Sequence, residues 1–149
     1  MLLGKKQFIV AIAKADECIK QFHVQAEALE KTLHDTNEPK PPADEIPEKD
    51  QAKYFARGSL NDVATCYFIQ GEAYVKLSQM AKAKIAYQEA AKFTYALTWY
   101  PEGRFWYPAD TAKNRLTDPD IFPPQLEQTL SSQEEQQQTE HHHEKIEHL

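Results

Sequence analysis

Side chains able to perform chemistry are few and scattered in this 149-residue chain. Nucleophilic catalysis needs a base beside the nucleophile, and a phosphate site needs a glycine-rich turn; neither pattern occurs in a supporting context. Glu17, Glu72 and Glu89 fall in helical stretches, where a lone carboxylate reads as solvated or groove-lining charge. Cys18 and Cys66, inside apolar helical stretches, do not announce a disulfide framework and read as small reduced hydrophobes, with a pair joining two packed helices as the alternative. His141, His142 and His143, with His148 nearby, could bind a transition metal weakly, yet a polar tail offers them no fixed geometry. No metal, cofactor or enzymatic activity is therefore expected. What remains is contact chemistry. Trp99, Tyr100, Phe105, Trp106 and Tyr107 crowd around Pro101, Gly103 and Arg104, and Trp, Tyr and Arg are the residues enriched at binding hot spots. Trp99, Arg104 and Trp106 are thus candidate partner contacts; the competing reading makes the same loop a hydrophobic plug at the end of a helical hairpin.

Charge narrows the class of partner. Residues 117–149 hold eight acidic residues and one lysine, so of the total charge of −6 this tail carries −7 and residues 1–116 carry +1. A nearly neutral body with an acidic tail has no broad positive footprint for a phosphate backbone, so nucleic acid is not an expected partner. The apolar run Phe8–Ala13 is six residues, far below the roughly 20 that span a bilayer. It continues into a helical pattern and is expected to be structure, not an export signal or a membrane span. Reducing, cytoplasmic surroundings follow from this reading.

Few glycines and regular apolar spacing predict an all-α protein. Phe8, Ile12, Ala15, Ile19, Phe22, Ala26, Leu29 and Leu33 recur in alternating steps of four and three, predicting a long amphipathic helix over about 5–33. Its stripe can fold inward or pair with a second copy as a homodimer. Residues 34–50 hold Pro39, Pro41, Pro42 and Pro47 and predict an extended linker. Ala56, Leu60, Val63, Tyr67, Gln70, Tyr74 and Leu77 carry a second helix over 51–77; Ala83, Tyr87, Ala90, Thr94 and Leu97 carry a third over 80–97. The short break at Ser78-Gln79 forces these two antiparallel. Pro108 suits the first turn of a capping helix over 108–116. One domain over 5–116 and a disordered Gln-, Glu- and His-rich tail over 117–149 complete the expectation.

Tyr67, Gly71, Tyr74, Ala83, Tyr87 and Ala90 stand at the offsets of a tetratricopeptide repeat, and residues 64–97 resemble one such unit. Gln70 departs from the usual leucine, and Tyr95 stands where a proline normally ends the repeat, so the second helix of the unit is expected to run an extra turn to Pro101. The resemblance extends to uncharacterised bacterial proteins of this type through the run YPEGRFWYPADTA. It implies a hairpin capped by its neighbours, and a concave groove lined by Thr65, Phe68, Glu72, Val75 and Lys76 that receives a peptide or helix of another protein. The competing reading packs these residues against the first helix. The expected function is therefore a non-enzymatic adaptor or scaffold. A second reading takes the glutamate-rich tail, which resembles the C-terminal signals of type IV secreted effectors, as an address for delivery to a host cytosol; a solvated tail is its plain alternative.

Overall fold

A computed structural model describes residues 2–124. The histidine tract, the glutamate-rich signal and the expected disorder of the tail lie outside these residues. The chain divides into compact units 1–116 and 117–149, and the first holds every element below.

Among the described residues the protein is mostly helical. Its elements are α1 (Leu2–Asp35), α2 (Gln51–Phe55), α3 (Ser59–Lys76), α4 (Met80–Ala90), β1 (Thr98–Tyr100), β2 (Arg104–Trp106) and α5 (Pro108–Leu116). All eight residues of the first apolar stripe, from Phe8 to Leu33, are buried or half-buried. They lie along α3, where Ile19 and Ala26 meet Leu60, Val63 and Ala64 in a core closed by Phe93, Tyr95 and Ala96. The stripe is thus turned toward the chain's own helix. Each large aliphatic side chain so buried contributes roughly 1.5–3 kcal/mol. Gln70 sits at the same interface and donates from Nε2 to the Ile12 carbonyl at 3.2 Å, which satisfies a buried amide where leucine would have needed no partner.

Helices α3 and α4 turn back on each other through Leu77–Gln79, with Ser78 at φ 58°. Gly71 governs how close they come. A Cβ at this position would lie 2.6 Å from two ring atoms of Tyr87 and 2.9 Å from a third. The Tyr87 ring is 1% exposed, and Ala83 and Ala90 are fully buried beside it. Only a residue without a side chain leaves that space.

Four expected boundaries need correction. The helix expected over 51–77 is interrupted between Phe55 and Ser59, because Gly58 takes φ 45° and ψ −103°, outside the helical region, a conformation glycine tolerates without a Cβ penalty. The helix expected over 80–97, with its extra turn, ends at Ala90. Its continuation would need backbone groups that are otherwise engaged. The Glu30 carboxylate accepts the Tyr95 N–H at 2.9 Å and the Thr94 hydroxyl at 2.8 Å, Asn61 Oδ1 accepts the Leu97 N–H at 2.8 Å, and Arg57 donates to the Tyr95 carbonyl at 2.7 Å. The aromatic loop is an antiparallel hairpin with pairs Thr98–Trp106, Trp99–Phe105 and Tyr100–Arg104, so a small sheet joins the all-α architecture. The linker begins only after Asp35 and contains short 3-10 turns at Ala43–Glu45 and Glu48–Asp50. The capping helix over 108–116 falls where expected.

Gly71→Ala is expected to lower the free energy of unfolding by about 1–3 kcal/mol through overpacking against Tyr87, although alanine is the better helix former by about 1 kcal/mol. Gly4→Ala, in α1 with nothing within 4 Å of its would-be Cβ, should leave stability unchanged or slightly raised. Urea denaturation of the two variants measures the contrast.

Candidate partner-binding site

The elements around α3 decide which of its side chains can meet a partner. Of the expected groove residues, Phe68 is buried, with its ring 5.8 Å from that of Tyr87 and 5.0 Å from that of Trp106. Glu72 accepts on one oxygen, Oε1, from the Tyr87 hydroxyl at 2.7 Å and from Arg115 Nε of α5 at 2.8 Å. Burial and then this carboxylate push the Tyr87 hydroxyl well above its usual range, and the Glu72 contact raises Arg115 further. Because both partners are partly exposed, the ion pair adds at most about 1 kcal/mol; its role is to hold α5 over α3. Val75 is half-buried and Lys76 exposed beyond this contact. The middle of the expected groove is therefore covered by the chain's own β-hairpin and α5.

The hairpin sorts the aromatic residues onto its two faces, since neighbouring residues of a strand point oppositely. On one face Trp99 and Phe105 pair edge to face at 4.8 Å, and Phe105 meets Tyr54 at 6.1 Å and Phe55 at 5.1 Å. On the other, Tyr100 and Trp106 stack at 5.1 Å with the Arg104 guanidinium 4.7 Å from the Tyr100 ring. Trp99 and Trp106 thus serve different surfaces. Phe105 is buried, whereas Trp99 and Trp106 are half-buried and Arg104 is exposed. The segment seals the hairpin end and still offers contact area.

Two hollows result. Arg104 and Trp106 line one of 580 Å³ with Lys40, Asp44, Asp110 and Lys113, a wall of mixed charge. Tyr107 closes its base by donating to the Pro41 carbonyl at 2.6 Å. Thr65 and Trp99 come together in the other, a cleft of 460 Å³ whose floor is α3 and whose walls include Cys18 of α1, Phe55 of α2 and Leu97-Thr98. Thr65 donates its hydroxyl to the Asn61 carbonyl at 2.7 Å, so the Thr98 hydroxyl, 2.6 Å away, donates to Thr65. Asn61 fixes the cleft's far end by donating to the Tyr54 carbonyl at 2.8 Å while accepting from Leu97.

Asp62 is the one charged residue in the lining of this cleft. Although the residue as a whole is exposed, partial burial raises its carboxyl above the ordinary carboxylate range, and no cation among the described residues lowers it. At the rim Phe55 is 48% exposed, and one turn beyond Thr65 and Cys66 on the same face of α3 Ile69 is 40% exposed. The sequence reading missed Phe55, Asp62 and the two cysteines as neighbours of one site. The available signal was the i, i+3, i+4, i+7 spacing of Asp62, Thr65, Cys66 and Ile69, whose mixed chemistry gives no apolar rhythm.

No family model matches the chain, and comparison with curated proteins and with solved structures finds no match. No helix among the described residues is long and apolar enough to cross a membrane.

Asn61→Ala strands the Leu97 N–H and removes one of two donors to the Tyr54 carbonyl, which keeps the Arg57 N–H at 3.2 Å, and is expected to cost about 1–3 kcal/mol in denaturant unfolding. Tyr107 makes a separate pH prediction. Burial, foremost, pushes its hydroxyl from 10.0 up to about 12, so the unfolded chain loses this proton first as pH rises. The stability it contributes is complete below pH 10 and is lost between 10 and about 12; Tyr107→Phe should shrink the fall in melting temperature measured across that window.

Proposed function

We propose that this protein is a non-enzymatic interaction module, an adaptor or scaffold, in which α3 and α4 form a tetratricopeptide-type hairpin. Its partner is a peptide or helix of another protein that enters the cleft between α1 and the β-hairpin. The observation that carries this reading is the Asp62 carboxylate, the one charge in a cleft lining that includes Phe55, Trp99 and Leu97, partly buried and with no cation beside it among the described residues. Leaving a charge partly desolvated is unfavourable unless a counter-charge arrives. A Lys or Arg on the partner supplies it, and a neighbouring aromatic or aliphatic side chain covers Phe55 and Ile69, which give the rim an apolar anchor. Thr65 and Trp99 keep the contact role expected of them. Arg104, Trp106, Val75 and Lys76 extend the surface outside the cleft, while Phe68 and Glu72 support it from beneath.

Selection from a displayed random-peptide library against the full chain tests this. The expected winners carry Lys or Arg within a few residues of a large apolar side chain. Their affinity should fall about tenfold or more with Asp62→Asn, and similarly with Phe55→Ser, each equivalent to about 1.4 kcal/mol. Binding should also weaken as pH falls through the Asp62 pKa, because the neutral acid no longer attracts the cation. Enrichment of acidic peptides, or winners that bind both variants as well as the parent chain, would contradict the assignment.

A further inference from the structure

The chain has two cysteines, and the fold brings them together. Cys18 projects from α1 and Cys66 from α3; both are half-buried free thiols, both line the same 460 Å³ cleft, and Cys18 is near enough to raise the Cys66 pKa. Packed helix axes lie about 8–10 Å apart, and residues facing each other across such an interface reach the Cα separations of roughly 4.4–6.8 Å that a disulfide spans. We infer that Cys18 and Cys66 are an oxidisable pair that closes into a disulfide joining α1 to α3 when the chain meets a low-molecular-weight disulfide such as glutathione disulfide.

The cleft gives an oxidant a route to both sulfurs, which an interior pair would lack. Burial, and then the neighbouring thiol, raise the Cys66 pKa strongly and hold it protonated, so the first attack falls to Cys18. The Cys18 thiol releases its proton and its thiolate attacks one sulfur of the donor, forming a mixed disulfide and releasing one glutathione thiol. Cys66 then loses its proton, attacks the Cys18 sulfur and displaces the second glutathione. Two protein S–H bonds are replaced by one S–S bond, and the donor's S–S bond is reduced to two thiols. Nearness of the two thiols in one cleft wall compensates for the low thiolate fraction of Cys66, because the second step is intramolecular. Closure should quicken as pH rises, since each step consumes a thiolate.

The bond ties together residues about 50 apart in sequence at an interface that is already formed, the arrangement in which a cross-link restricts the unfolded chain most and the folded chain least. It also replaces two thiols in the cleft wall with one bridge. The pairing of Cys18 with Cys66 in one cleft wall is independent of the peptide-binding reading.

The test uses the full reduced chain, incubated with glutathione disulfide at pH 8, quenched by alkylation and digested with trypsin without reductant. The expected product is a monomer two hydrogens lighter, in which peptide 15–20 is joined to peptide 58–76, with yield independent of protein concentration. Its melting temperature should exceed that of the reduced chain by about 5–10 °C. The Cys66→Ser chain, lacking the second thiol, should retain one glutathione on Cys18, whereas the Cys18→Ser chain, whose remaining thiol burial still holds protonated, should take up glutathione more slowly. Glutathione retained on both cysteines of the parent chain, cross-linked dimers, or an oxidised chain that melts no higher than the reduced one would overturn the inference.

Discussion

The contact between Gly71 and the ring of Tyr87 sets the geometry on which the rest of the molecule depends. The ring occupies the space where any other residue would carry its Cβ, so the Tyr87 side chain of α4 lies directly on the backbone of α3. From that seat the Tyr87 hydroxyl reaches Glu72, and the same carboxylate oxygen receives Arg115 from α5. One glycine thus couples the hairpin to the capping helix, and α5 in turn follows directly on the β-hairpin through Tyr107-Pro108. Phe68, held between Tyr87 and Trp106, closes the loop of contacts from the other side.

A covered α3 face has a functional consequence. Helix α1 occupies one flank and the β-hairpin with α5 the other, so what stays accessible is the narrow strip that begins at Asp62 and continues past Cys66 to Ile69. Polar groups that end the helices early create this strip. Glu30 and Asn61 capture the backbone donors of Tyr95 and Leu97, diverting the chain from helix into strand and placing Trp99 beside Thr65. Had α4 continued to Leu97, the wall formed by Leu97-Thr98 and Trp99 would not exist.

Much of this was legible in the residue pattern. The alternating steps from Phe8 to Leu33 include Ala15, Ile19 and Ala26, the buried residues among the described side chains of α1, because burial against a single helix preserves the periodicity of the sequence. Gly71, Tyr87, Ala83 and Ala90 could be singled out because close approach demands small residues opposite a large one. The breaks at Gly58 and Ala90 were not legible, since each depends on partners distant in sequence: Arg57 reaches residue 95, and Glu30 reaches residues 94 and 95. Local propensity across 91–97 still reads as helix, and long-range hydrogen bonds override it. The expected groove was displaced for a similar reason, because Phe68 and Glu72 have the chemistry of contact residues and spend it on the chain's own C-terminal elements.

An aromatic ring seated on a bare backbone holds the fold together. Proton NMR of the full chain reports on it directly through the Gly71 α-protons, beside the Tyr87 ring atoms. Strong cross-relaxation is expected between these protons and the Tyr87 ring, with at least one of them shifted far from the ordinary glycine position by the ring current. Ordinary glycine shifts with no cross-relaxation to Tyr87 would mean that the helices do not meet there, and the positions assigned to α5, the β-hairpin and the Asp62 cleft would lose their common support.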